Sequence, residues 1–274
     1  MNIYLLIILS TLIGEHCLRS IAKQLDLKAL VPGLPAEFAG YYSEEEYRRS
    51  QSYTRITTRF SQVKSTFDVV IILVFILMGG FNIADEIVRG FRLPTIASGL
   101  IFFGILFLAK DLISMPFAIY KAFVIEEKFG FNKITVKIFV ADKLKGYLVI
   151  SILGSAMLGS VLYFFQELGQ GAWLYAWGIT ASFVLLAPTL FNTAIAPLFN
   201  KFTPLEDGEL KQGIETYATT VDFPLDRVDV MDGSKRSTKS NAYFSGLGKK
   251  KRIALFDTLI EQQSIDELIK RVDF

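Results

Sequence analysis

Five stretches of this chain, residues 3–18, 67–83, 93–109, 144–165 and 172–199, are uncharged or nearly so. Each approaches the ~20 apolar residues needed to cross a hydrocarbon core as a helix. That pattern predicts an α-helical multi-pass membrane protein with about five transmembrane helices. Composition agrees, with 51% hydrophobic and 20% charged residues and a mean hydropathy of +0.40, too apolar for an ordinary soluble domain. The formal net charge of +2 points to no partner, because Lys and Arg are crowded into the connections between apolar runs. Cys17 is the only cysteine, which excludes an intrachain disulfide and a thiolate metal cage within one chain.

The first run could pass for a cleaved leader, but no basic residue precedes Ile3 and no small-x-small cleavage site follows before Arg19. It is expected to be a retained span. Basic residues are held on the cytoplasmic side, and residues 19–64 carry eight Lys or Arg and residues 110–145 seven, against two in 82–93 and none in 166–171. The expected orientation therefore has the N-terminus outside and everything after the fifth span in the cytoplasm. Trp173, Tyr175 and Trp177 suit an aromatic belt at the outer edge of that span.

From Lys201 the composition changes, giving a division into a membrane region, residues 1–200, and a cytoplasmic segment, residues 201–274. Thr203-Pro204-Leu205 marks the break. Residues 209–218 are read as a short helix that stops ahead of Pro224. Residues 227–231 alternate as a strand does and end at the turn signal Asp232-Gly233-Ser234. Residues 242–244, closed by Gly246-Leu247-Gly248, and residues 252–256 are two further strands. Ser264 faces Glu267 three residues on, the capping box that opens a helix, with Ile265, Leu268, Ile269 and Val272 as its apolar stripe.

Three octamers in order, EEKFGFNK (126–133), IAPLFNKF (195–202) and KSNAYFSG (239–246), resemble the type I CAAX prenyl endopeptidases, integral-membrane zinc metalloproteases. The resemblance covers nearly the whole chain. It implies that the C-terminal segment is the start of an α+β metalloprotease domain, incomplete here, and that the full-length relative hydrolyses peptide bonds of prenylated or membrane-associated substrates. It also implies that Asn241, Ala242 and Tyr243 form a substrate-binding edge strand, on which an extended peptide pairs through its backbone. The alternative, that Tyr243 and Phe244 are core and turn-proximal aromatics, stays open.

In the resembled family zinc is bound by an HExxH helix, its two imidazoles one turn apart and its Glu acting as general base, with a further Glu completing the set. The sequence contains no HExxH and a single histidine, His16. No catalytic residue and no metal ligand is therefore assigned, no zinc is expected to bind this chain, and the chain alone is expected to be inactive. A frameshift, a premature stop or an incomplete gene model would each produce such a sequence. His16 beside Glu15 cannot supply three convergent ligands and reads as an interfacial hydrogen-bonding group.

Asp68 and Lys110 are intramembrane charges, with Lys110 either snorkelling to the surface or facing a water-filled chamber of the kind the resemblance implies. Asn192 and Thr193 carry the same two readings, and Gly79-Gly80 and Pro188 are packing or kink positions. The Lys249-Lys250-Lys251-Arg252 run reads as a solvated loop beside anionic headgroups and not as a nucleic-acid site. The partners expected are thus the lipid bilayer and, for the full-length family, a peptide or prenylated-protein substrate. The rival functional class is a non-catalytic pseudoprotease or membrane scaffold. A transporter is disfavoured, because the chain shows neither inverted repeats nor paired broken helices.

Overall fold

A computed structural model describes residues 2–31, 33–38, 40, 43–246, 251–265 and 267–268. Five helical stretches are long and apolar enough to cross a membrane: Ile3–Ala29, Glu44–Leu77, Thr95–Glu126, Val136–Glu167 and Gly169–Phe199. A small sheet follows them. The chain divides into two compact units, one of Met1–Leu93 and Ile105–Phe129, the other of Pro94–Gly104 and Gly130–Phe274.

The first unit is helical. Helix α1, Ile3–Ala29, starts at Asn2, whose side chain accepts from the Tyr4 N–H. Helix α2, Glu44–Leu77, opens with a complete capping box between Ser43 and Glu46, which satisfies two of the N–H groups a helix start leaves unbonded. Lipid provides no hydrophobic drive between helices, so polar bonds and packing hold them together. Lys23 donates to Ser61 at 2.6 Å and Gln62 to the Ser20 carbonyl at 3.4 Å, joining α1 to α2. Phe67 packs on Phe117 at 4.9 Å and Phe60 stacks on Tyr120 at 5.4 Å, joining α2 to α4, Thr95–Tyr120. A π turn, Lys121–Glu126, prolongs α4, and Tyr53 donates to Glu126 there at 2.7 Å.

Two stretches expected to be connections are helical. Most of residues 19–64 lies in the ends of α1 and α2, because Glu44–Glu46 at the α2 N-terminus and the Glu44–Arg48 pair one turn apart favour helix in a polar sequence. Residues 82–93 are largely α3, Gly80–Gly90, whose small or apolar Gly80, Ala84 and Val88 recur every fourth residue and are buried. Gly79, at φ +72°, makes the break between α2 and α3 in a conformation that glycine adopts without strain.

In the second unit α5, Val136–Glu167, is capped by Thr135 and packs closely on the first turns of α4, where a Cβ on Gly99 would meet Leu162 at 2.6 Å. A 3₁₀ turn, Gly169–Gly171, leads to α6, Ala172–Leu190, then a π turn, Phe191–Ile195, and the short α7, Ala196–Phe199. Trp173 and Trp177 of α6 are exposed.

The sheet has strands β1, Phe202–Pro204, β2, Leu225–Met231, β3, Ala242–Ser245, and β4, Lys251–Phe256, in the order β1-β2-β4-β3. Only the β2–β4 pair is parallel. Helix α8, Glu209–Thr220, and α9, Asp257–Gln262, complete it. Ile214, Val228, Ile253, Leu255, Leu259 and Leu268 form its core, each contributing roughly 2 kcal/mol over an exposed position. The cap at Ser264 is present: the Glu267 carboxylate accepts from the Ser264 N–H at 3.0 Å and Oγ at 2.9 Å, placing Leu268 in the core. Ile269 and Val272 of that stripe, and Lys249 and Lys250 of the basic run, lie outside the described residues.

Candidate substrate-binding edge and its support

β3 is the last strand of the described sheet, so it meets a neighbour, β4, on one side only. Tyr243 lies opposite Ala254 and Ala242 opposite Leu255 in the antiparallel register. Asn241 precedes the strand and extends its ladder, its carbonyl accepting from the Phe256 N–H at 3.0 Å. Hydrogen-bonding residues alternate along an antiparallel pair, so Ala242 directs its backbone away from β4. There its N–H donates to Asn241 Oδ1 at 2.9 Å. Tyr243 is half-buried, and burial pushes its phenol above the usual tyrosine value while the Arg252 guanidinium pulls the other way. Phe244 sits edge-on to Phe223 at 6.0 Å and is 62% exposed, a turn-proximal aromatic outside the core.

The approach to this edge is fastened at several points. Gln262 donates to the Thr238 carbonyl at 2.9 Å and Thr258 to the Lys239 carbonyl at 3.1 Å. Gly233 is buried under Phe256, whose Cδ2 leaves 2.5 Å for an added Cβ. Asp257, at the start of α9, accepts from the Ser234 N–H at 2.8 Å and its Oγ at 2.5 Å.

Arg236 brings the distant motif segments together. Its guanidinium holds Asp142 of α5 through two bonds of 2.8 and 2.9 Å, the Asn200 side chain at 2.7 Å and the Phe199 carbonyl at 2.6 Å. Residues 130–133 lie alongside: the Lys133 N–H donates to the Arg236 carbonyl at 3.1 Å, and the Thr238 N–H to the Phe131 carbonyl at 3.2 Å. Asn132 and Ser237 form a β-bridge, and Lys239 lies 4.7 Å from the centre of the Phe131 ring. Parts of all three octamers thus meet around one turn. Arg236 and Asp142 were not singled out from the sequence. Their signal was weak: Asp142 sits in a basic stretch, and Arg236 follows a turn that marked only the end of a strand.

Other sequence-flagged polar residues do not converge on this edge. Glu15 pairs with Arg19 at 2.7 Å, and His16 Nε2 lies 3.2 Å from Thr66 Oγ1. Asp68 pairs with Lys64 at 2.6 Å, and Asp68 and Lys110 both line a cavity of about 450 Å³ with Leu12, Phe75 and Ser114, within the first unit. The Asn192 and Thr193 side chains turn back onto their own helix, donating to the Pro188 and Thr189 carbonyls. Among the described residues no group of three or more His, Cys, Asp or Glu could hold a metal ion. A catalytic zinc needs three convergent protein ligands, so the described residues do not fit the metal.

Comparison with known proteins agrees with this architecture. Residues 24–201 match the model of the CAAX prenyl protease N-terminal region, five membrane helices, and residues 204–270 that of peptidase family M48. The chain is 38% identical to CAAX prenyl protease 1 of Saccharomyces cerevisiae, covering 86% of this chain and 54% of that one. It is 40% identical to the probable CAAX prenyl protease 1 of Schizosaccharomyces pombe, covering 86% and 52%. It superposes on the crystal structure of S. mikatae Ste24p with a TM-score of 0.90 at 37% identity, covering 96% of this chain and 64% of that one. The chain therefore spans about half the length of the curated relatives it matches. With five membrane helices leading into a four-stranded sheet, and both regions matching, this chain belongs to the CAAX prenyl protease family of membrane metallopeptidases.

Proposed function

We propose that this chain forms the membrane-anchored, substrate-holding part of a CAAX prenyl protease-type zinc metalloendopeptidase. Residues 1–200 serve as the membrane region and residues 201–274 as the start of the peptidase domain. The N-terminus faces outside and the sheet lies at the cytoplasmic surface. An extended peptide segment of a prenylated or membrane-associated protein adds to the open side of the edge formed by Asn241, Ala242 and Tyr243, where Ala242 directs its backbone away from β4, so that pairing runs through backbone and is tolerant of sequence. The supporting observation is the position of β3 at the sheet edge, held by the Arg236 turn. The family's zinc chemistry needs ligands that the residues of this chain do not supply, so the chain's own share is confined to binding and orienting. A pure scaffold is not favoured, given the relationship to named proteases.

The test is photo-crosslinking of an extended, farnesylated peptide to the chain in lipid nanodiscs. Crosslinks should map to residues 241–245 and fall at least tenfold in Ala242→Pro. Proline at an outward-facing edge position removes the donor for an added strand while leaving the β3–β4 ladder intact. Crosslinks confined to other segments, or an Ala242→Pro variant that labels like the parent, would refute the reading.

A further inference from the structure

The fifth span ends in a π turn whose hydrogen bonds leave one carbonyl without a helical donor. In Phe191–Ile195 the chain steps five residues per bond, and the Ala196 N–H closes on the Phe191 carbonyl. An α-helical step would have given that N–H to Asn192. The π step instead assigns the Asn192 carbonyl to residue 197, which is Pro197 and has no N–H. A carbonyl so orphaned inside a protein needs another donor. It finds one in Arg252 of β4, whose Nη2 donates to it.

Arg252 is 6% exposed and reaches every strand of the sheet from this position. Its Nε donates to Ser245 Oγ on β3 at 3.2 Å, its Nη1 lies 3.5 Å from Asp229 on β2, and its guanidinium carbon is 4.9 Å from the centre of the Phe202 ring on β1. The planar fork of arginine can make these contacts at once, whereas a lysine ammonium offers a single point. A second tie runs parallel: the Phe199 carbonyl, seven residues or about two turns further along, is the one held by Arg236. Two arginines of the sheet region thus grip one face of the end of span five.

We infer that Arg252 is a positioning residue, latching the edge strand β3 to the π turn of the fifth span so that a peptide on β3 is held at a fixed height relative to the bilayer. The inference rests on the proposed role of β3 as the peptide-binding edge. Pro197 and Arg252 form one device, the proline releasing the carbonyl that the arginine takes. The latch also gives the π turn a function: a regular helix would have spent that carbonyl internally and offered the sheet nothing to hold.

The latch is tested by pulsed electron–electron resonance between spin labels at Leu185→Cys on α6 and Phe244→Cys on β3, both exposed, in the full chain in nanodiscs with Cys17→Ser. The parent should give one narrow distance distribution. Arg252→Met combined with Asp229→Asn, which removes both buried charges together and leaves only Arg227, the other partner of Asp229 and itself 57% exposed, to be solvated, should at least double its width. Arg252→Lys, which keeps the charge, should do the same. Asp229→Asn alone, which weakens the ion pair but leaves the grip on Asn192, should leave the width unchanged. The inference is overturned if the double variant and Arg252→Lys both keep the parental width, or if Asp229→Asn alone broadens it equally, since the arginine would then only be stabilising the sheet. No peptide is present in this measurement, so its outcome is separate from the crosslinking result on β3.

Discussion

Four oxygens from two segments converge on the Arg236 guanidinium: both of Asp142, the Asn200 side-chain oxygen and the Phe199 carbonyl. The Arg236 and Asp142 side chains are about one-fifth exposed, so the pair is screened less than a surface ion pair but is not fully dry. Asp142→Ala should destabilise the second unit by about 2 kcal/mol, the scale of lost charge-assisted hydrogen bonds, read as a lower unfolding midpoint in detergent. Asp142→Asn should recover part of the loss, because one amide oxygen can still accept. Tyr243 supplies a pH dependence. Its phenol is raised above its ordinary value by burial, so the folded state binds the proton more tightly than the unfolded chain. The associated stability is complete below the ordinary tyrosine value of about 10 and is lost as pH climbs through the folded-state value. Tyr243→Phe should remove that alkaline loss, seen as a flatter stability profile above pH ~10.

At the scale of elements, glycine positions separate tolerance from strain. An added Cβ at Gly233 would sit 2.5 Å from the Phe256 ring, and that ring closes over the turn leading to β3. Gly233→Ala should cost on the order of 1–3 kcal/mol through overpacking and raise hydrogen exchange in residues 241–245 before the rest of the sheet. Gly208, where nothing lies within 4 Å of an added Cβ, provides the matched control and should show no such change on replacement by alanine. The strands β2, β3 and β4 were legible within two residues, β2 from its alternation and the turn signal after it, β3 from the Gly246-Leu247-Gly248 that closes it and β4 as a short apolar run, which the structure buries over residues 252–255. β1 was not, because Phe202–Pro204 has only three residues and closes on a proline, which alone reads as a break; it is tolerated at this sheet edge. Helix α3 was missed because Asp85, Glu86 and Arg89 crowd its second half, although the fourfold spacing of Gly80, Ala84 and Val88 carried the helical signal. The edge residues Asn241, Ala242 and Tyr243 were nameable through the octamer around them. Arg236 and Asp142 were not, and Arg252, read with the basic run as part of a solvated loop, is instead buried in β4; the bonds that tie these residues to the helices lie 36 to 94 residues apart in sequence, and local pattern holds no information about such pairings.

At the scale of the whole molecule, the parity of membrane crossings constrains where each soluble part can lie. Helix α2 has 34 residues, roughly 50 Å at ~1.5 Å per residue, well beyond the ~30 Å of a hydrocarbon core. Its charged first half, with Arg48, Arg49, Arg55 and Arg59, therefore projects as a helix from one membrane face rather than forming a flexible loop. Four candidate spans separate Ser50's end of α2 from Glu209 of α8, counting α2 itself. An even number of crossings returns the chain to the side from which it set out. If all four cross, Ser50 and Glu209 are expected on one face, and Glu86 of α3, one crossing from Ser50, on the other. In the proposed orientation the shared face is cytoplasmic, as the basic residues around Ser50 favour. In sealed right-side-out vesicles with Cys17→Ser, a membrane-impermeant maleimide should label Glu86→Cys directly. Ser50→Cys and Glu209→Cys, both exposed in the folded chain, should react only after permeabilisation. Reversal of all three would leave the five-span architecture standing and invert the orientation. Labelling of Ser50→Cys and Glu209→Cys from opposite sides would mean that one of the four apolar helices between them does not cross the bilayer.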